Sequence, residues 1–187
     1  MKNHGVSIVE MIISITILGV ISFIMVTIFF ASDRVTKGQQ IGSTIQTENI
    51  FGQNMMRKNL KDATGILTNV TIDAITYTTN EQNLVFKVPS INASGDIINS
   101  TWDTFVYTSS GTYPTAQVKL LISPDASSSR PASSQVMVSL VDNLQFRYNS
   151  NTISDISYVD ITLRTKKTEG EHSRRFTTET RVTLRNF

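Results

Sequence analysis

The chain has no cysteine. No disulfide, thiolate nucleophile or zinc–cysteine site can be built from it. Charge is scarce as well. Only 17% of the 187 residues are charged, and the net charge is +2. No basic run is long enough to track a phosphate backbone, and so small a net charge does not argue for a nucleic-acid partner. There is no glycine-rich phosphate loop. Proline is missing from Ser32 to Asp62, and charge is missing altogether between Glu10 and Asp33.

That last gap is the most informative. Met11 to Ala31 reads MIISITILGVISFIMVTIFFA. It is long enough for a membrane-spanning helix, which needs about 20 apolar residues. Glu10 heads the run, between Ile8, Val9, Met11 and Ile12. A carboxylate within a spanning segment costs on the order of 2.5–3.5 kcal/mol on insertion scales, and such groups are usually paired and functional. Met1-Lys-Asn-His-Gly5 forms a short polar leader ahead of it.

The Gly5–Val6 junction, the glutamate five residues into the chain that a cut there would release, and the apolar run together resemble the leader of type IV prepilins and type II secretion pseudopilins. The resemblance implies cleavage after Gly5 by a prepilin peptidase on the cytoplasmic side of the membrane. It implies methylation of the new amino terminus at Val6, and pairing of Glu10 with the amino terminus of a neighbouring subunit during filament assembly. Unlike charges attract strongly in a low-dielectric helix bundle, and an unpaired one is costly. Such a pair serves as a register device more than as net stabilisation.

Two plainer readings compete. A secretory signal peptide has a basic n-region, an apolar stretch of 7–15 residues and a small-residue cleavage site. Here Lys2 is the only n-region charge, the run is longer, no Ala-x-Ala site ends it, and the glutamate is out of place. An uncleaved signal anchor fits the length but accounts for neither Gly5 nor Glu10. Within the prepilin group, position 6 is Val where Phe or Met is commoner, and Thr27 stands where many major pilins have a kinking proline. Both features lean toward a minor subunit.

Past the apolar run the chain is rich in Ser, Thr and Asn, as suits a domain outside the cytoplasm. Residues 33–63 are expected to continue the helix as an amphipathic half. Ile41/Ile45, Phe51/Met55 and Met56/Leu60 are i, i+4 pairs that would share a face, with Val35 on the apolar list and Gly38, Gly42 and Gly52 each weakening the helix by roughly 1 kcal/mol. From Gly65 the period becomes two. Leu84/Phe86/Val88, Phe105/Tyr107, Val118/Leu120/Ile122, Val136/Val138/Leu140, Leu144/Phe146/Tyr148, Val159/Ile161/Leu163 and Phe176/Val182/Leu184 mark strands of a half-buried antiparallel sheet, one face on a core and one in water. Phe146 and Ile161 are expected under the helix. Breaks fall at Pro89–Thr101, Thr108–Ala116 and Ser123–Ser134, the last an exposed flexible loop. Lys166, Lys167, Arg174 and Arg175, interrupted by Glu169 and Glu171, read as a solvated hairpin rather than a binding site. The expected architecture is therefore α+β: leader 1–5, membrane or filament-core helix 6–32, amphipathic half 33–63, and an antiparallel β domain 64–187. Val138 to Tyr148, Val159 to Leu163 and Val182-Thr-Leu-Arg-Asn186 resemble, more loosely, the C-terminal half of J-type minor pseudopilins and PilW-type minor pilins.

Catalytic and metal-binding patterns are missing. After leader removal one histidine remains, His172, so no Ser-His-Asp triad or histidine metal cluster forms within a subunit. Asp96, Asp103 and Asp125 match no calcium-loop spacing. Asn69, Asn92 and Asn99 begin Asn-x-Ser/Thr sequons. The expectation is a non-enzymatic subunit with no cofactor and no metal, held by one span in the cytoplasmic membrane with its domain outside. It would join other pilins or pseudopilins near the tip or initiation complex of a type IV pilus or type II secretion pseudopilus. The rival class is a membrane-anchored extracytoplasmic binding domain that never polymerises. By that resemblance, pilus, secretion system and DNA-uptake machinery share the same leader.

Overall fold

The computed structural model describes residues 7–170 and 172–184. The protein is α+β: one long helix, α1 (Ile8–Lys61), followed by antiparallel strands on which its C-terminal section packs. The chain divides into two compact units, residues 1–40 and 41–187.

In the first unit, every large apolar side chain from Ile8 to Phe30 is exposed, by 45% to 78%. The helix is long and apolar enough to cross a membrane, its best 18-residue window having a mean hydropathy of 2.7. Its two threonine hydroxyls within the apolar run are satisfied locally. Thr16 and Thr27 donate to the carbonyls of Ile12 and Phe23 at 2.8 and 2.9 Å.

In the second unit, α1 buries Ile41, Ile45, Asn49, Gly52, Gln53, Met56 and Leu60. The spacing of three and four is one helix face. Phe51 is 57% exposed, and Met55 only half-buried. This corrects the expected shared face: at about 3.6 residues per turn, Phe51 stands roughly 80° from the line through Ile41, although it is four residues from Met55. Val35, in the first unit, is exposed too. Gly52 is not a mere weak point. A Cβ there would overlap the Val138 side chain, so the glycine admits a close approach of helix to strand.

The strands are β1 (Gly65–Ile66), β2 (Asn69–Ile72), β3 (Ile75–Thr78), β4 (Asn83–Ile91), β5 (Ile97–Ser110), β6 (Gln117–Ser123), β7 (Ser133–Val138), β8 (Val141–Tyr148), β9 (Tyr158–Glu169) and β10 (His172–Thr183). They form a five-stranded sheet in the order β1-β4-β5-β6-β7, a three-stranded sheet β10-β9-β8, and the hairpin β2-β3. One core joins Met56 and Leu60 of the helix to Phe86, Tyr107 and Leu120 of the larger sheet and Phe146, Ile161 and Leu163 of the smaller. Phe146 and Ile161 thus lie in the core shared with the helix, as their alternation indicated. Phe86 stacks on Tyr107 at 5.4 Å between centroids. Burial pushes the Tyr107 phenol above its ordinary pKa, a shift partly offset by Asn59, which donates to its oxygen at 2.8 Å.

Four expectations are corrected. The back of the larger sheet is not wholly in water: Val85, Val106 and Leu121 are buried cross-strand neighbours, covered by Val70, Ile72 and Tyr77 of β2–β3 and by Leu67. The break at Pro89–Thr101 shrinks to a five-residue turn between β4 and β5, tightened by the Asn92 side chain accepting from the N–H groups of Ser94 and Asp96 at 2.9 Å each. Pro89 is tolerated inside β4 because β1 pairs only with Phe86 and Lys87, leaving no donor wanted at Pro89 on that edge. Third, Val136, Val138 and Leu140 do not share a strand face. A register shift between Val118 and Lys119 buries Met137 with Val138, leaves Val136 exposed, and puts Leu140 in a turn at φ 55°.

The fourth concerns Ser123–Ser134, which is pinned rather than loose. The fully buried Asp103 carboxylate on β5 accepts from the Asp125 N–H at 2.9 Å, from the Ser128 hydroxyl at 3.0 Å and from the Arg130 guanidinium. Ser90 donates to it from β4 at 2.8 Å. Four donors leave the carboxylate saturated, the condition under which a buried charge is tolerated.

Candidate functional site: the head of the apolar helix

Gly5 and Val6 lie outside the described residues. Glu10 lies in the first turn of α1, exposed. Its Oε2 accepts from the Ser7 N–H at 3.0 Å, while the Ser7 Oγ accepts from the Val9 N–H at 3.3 Å. Ser-Ile-Val-Glu is thus a capping box, in which a side chain at each end satisfies a backbone donor that the first turn leaves orphaned. Its signal in the sequence is the Ser-x-x-Glu spacing, whereas the expectation gave Glu10 a role in assembly alone. Among the described residues the other carboxylate oxygen, Oε1, has no hydrogen-bond partner. The negative charge also sits at the positive end of the helix dipole, a favourable place for it. One carboxylate therefore terminates the helix with one oxygen and presents the other at the surface, at the head of a stretch with no other charge as far as Asp33.

The remaining candidates are dispersed. Asp96 binds back to Asn92 in its own turn, and the Asp125 carboxylate accepts from Ser127. Only Asp103 and Asp125 meet, and they do so through the Asp125 backbone N–H. Among the described residues no three of His, Asp and Glu come together as metal ligands. Asn69, Asn92 and Asn99 are exposed. His172 opens β10, half-buried. Arg185 and Asn186 lie outside the described residues. The basic run forms the end of the β9–β10 hairpin, as expected of it, with Lys167 opposite Arg174 and Lys166 opposite Arg175.

One polar group in the core has no counterpart among the expectations. Asn49 is fully buried where α1 crosses the smaller sheet. Its amide donates to the Leu163 carbonyl at 3.1 Å, the Thr165 hydroxyl at 3.2 Å and the Phe176 carbonyl at 3.4 Å, and its oxygen accepts from the Thr178 hydroxyl. Thr165 in turn donates to the Ile45 carbonyl at 3.4 Å. The cluster fixes the register of helix on sheet, since a slip would bury these groups unpaired. It has no apolar signature and lies amid Ser, Thr and Asn residues that are solvated elsewhere.

No protein-family model, no curated protein and no solved structure matches the chain.

Proposed function

We propose that the protein is a non-enzymatic structural subunit of a type IV pilus or type II secretion pseudopilus, a minor one acting near the tip or initiation complex. It is made as a prepilin, cut between Gly5 and Val6 by a prepilin peptidase, methylated at Val6, and held in the cytoplasmic membrane by one span with its domain outside until assembly. Glu10 then pairs with the amino terminus of another subunit.

The observation that carries this reading is the bare helix. From Ile8 to Phe30 no large apolar side chain is buried by a partner among the described residues. Lipid can cover that surface, and so can the same surface of neighbouring subunits. The carboxylate at its head retains a second oxygen for a terminal ammonium, with which a charge-assisted hydrogen bond would form.

The capping box favours a second reading. A glutamate that caps its own helix needs no neighbour, so a membrane-anchored binding domain that never polymerises accounts for Glu10 as well. Mass spectrometry of the mature N-terminus separates the two. A chain beginning at methylated Val6 supports the subunit, and an intact Met1 supports the anchor. Gly5→Ala or a bulkier residue should leave the precursor uncut; normal mature mass in that variant would overturn the cleavage site.

A further inference from the structure

We propose that the tip of the β9–β10 hairpin docks the domain against an anionic lipid surface, a proposal that rests on reading Ile8–Phe30 as a membrane segment. The chemistry is local. Arg164, Lys166, Lys167, Arg174 and Arg175 stand there with Glu169 and Asp142; with Glu171, which lies outside the described residues, the sequence supplies five cations to three carboxylates.

The arrangement works against the hairpin itself. Lys167 pairs across the strands with Arg174, and Lys166 with Arg175. Like charges directly opposite destabilise a ladder. Relief is partial: Lys167 reaches Glu169 at 3.5 Å, Arg175 shares Asp142 with Arg164 at 3.3 and 2.7 Å, and the Lys166 ammonium lies 4.9 Å from the Tyr113 ring centroid. Arg174 is exposed and makes no ion pair among the described residues. Two consecutive like-charge pairs, one on each face of the ribbon near its end, are what an anionic partner meeting the tip end-on would neutralise.

The direction of the hairpin says which partner. Asn49 bonds to Leu163 and Thr165, and Thr165 to Ile45, so β9 runs antiparallel to the packed section of α1. From Thr165 to Gly170 a strand advances about 16 Å. Over the same direction the helix from Ile45 to Ile41 advances about 6 Å. The tip thus reaches past Ile41, at the end of the domain where α1 enters it. Ile41 is also where the domain is tethered: Ala31, the last residue of the apolar run, precedes it by ten residues, at most about 35 Å of chain however the chain is arranged. The basic tip therefore projects from the same end of the domain that the membrane holds. A lipid surface is already within that reach, whereas an acidic protein would have to be recruited.

The chain lacks cysteine, so Ser173→Cys, at the tip, and Asn151→Cys, beyond the opposite end of β9, each carry a single fluorophore on the full chain reconstituted in vesicles. Headgroup spin-labelled lipid is the quencher. The tip label should be quenched in vesicles containing phosphatidylglycerol and much less in phosphatidylcholine alone or at molar salt, and the Asn151 label in neither. Each basic residue near an anionic surface favours the docked state about fivefold, so K167Q/R174Q should cut the ratio of docked to free about twenty-five-fold. The variant K166Q/R175Q, read by the same label, guards against a local folding defect in the first. Equal quenching of both labels, or tip quenching indifferent to lipid charge, overturns the proposal and leaves a protein partner for the basic tip. If the chain fails to float with vesicles after alkaline extraction, the membrane-segment reading itself is wrong and the docking falls with it.

Discussion

Two stretches of α1 use apolar side chains in opposite ways. From Ile8 to Phe30 they point in every direction and none is buried. From Ile41 to Leu60 most of them lie on one buried face, with Asn49, Gly52 and Gln53 on the same line, and only Ile50 and Phe51 stand exposed off it. The difference teaches where each stretch finds its partner. A helix apolar all round has its partner outside the chain; a striped helix has it inside. Shape matters only in the second, because lipid adapts to any surface and a folded core does not.

Deleting atoms from each stretch, and from what it packs on, should therefore give unequal results. In the core, Phe146→Ala should cost about 3–5 kcal/mol and Ile161→Ala about 2–5 kcal/mol. Asp103→Ala should cost about 3–5 kcal/mol by stranding Arg130 and the loop donors. Each kcal/mol lowers the melting temperature by about 2–4 °C in a domain of this size, which near-ultraviolet circular dichroism of the full chain in detergent would register. Ile17→Ala, in the bare stretch, should leave that transition in place. A comparable fall from Ile17→Ala would mean the bare stretch has a partner within the chain.

Gly52 sharpens the contrast within one helix. Gly52→Ala gains helix propensity yet forces a methyl into Val138, and overpacking of this kind typically costs about 1–3 kcal/mol. At Gly19 a methyl group would meet nothing within 4 Å, so Gly19→Ala should be neutral for the domain. The double change Gly52→Ala with Val138→Ala should cost less than the two separate losses added together, by a double-mutant cycle; strict additivity would remove the close-approach argument.

Alkali should also select the second unit. Burial raises the pKa of Tyr107 and of Tyr148 above the ordinary 10.0. The folded state therefore holds those protons more tightly than the unfolded chain does. The associated stability is intact below pH 10 and declines as pH rises above it, because only the unfolded chain ionises freely there. Tyr148→Phe should flatten that decline in a pH series of chemical denaturation. A smaller gain is expected at Ala74, which adopts φ 64° beside Asp73 at φ 48° in the β2–β3 turn. Ala74→Gly relieves the left-handed strain and should stabilise by about 1 kcal/mol or less, set against the added freedom of the unfolded chain.

That turn shows why part of the fold was hidden. Strands β4 to β10 were legible because their apolar residues alternate over a single large core. The β2–β3 hairpin was not, since Asp-Ala replaces the Asn-Gly or Asp-Gly that usually signals such a turn. Burial of Val85 and Leu121 on the back of the sheet stayed invisible for the same reason. Asp103 and Asn49 were missed because polar residues carry no periodic signal; only their partners, remote in sequence, distinguish them from solvated neighbours. At the candidate site, Glu10 stood out as a carboxylate set directly against the head of an apolar run, yet its bond to the Ser7 N–H was equally readable in Ser-Ile-Val-Glu.

The most direct test separates the two uses of that carboxylate. Glu10→Leu should leave membrane level and leader cleavage largely intact, since it makes the segment more apolar, while capture of partner pilins by the tagged chain from membranes should fall sharply. Glu10→Gln keeps an acceptor for the Ser7 N–H and loses the charge a terminal ammonium requires. If pairing between subunits is the role, co-purification with Glu10→Gln stays well below that of the natural chain. Full partner capture and assembly with Glu10→Leu would contradict the account and leave Glu10 as the cap of a membrane anchor.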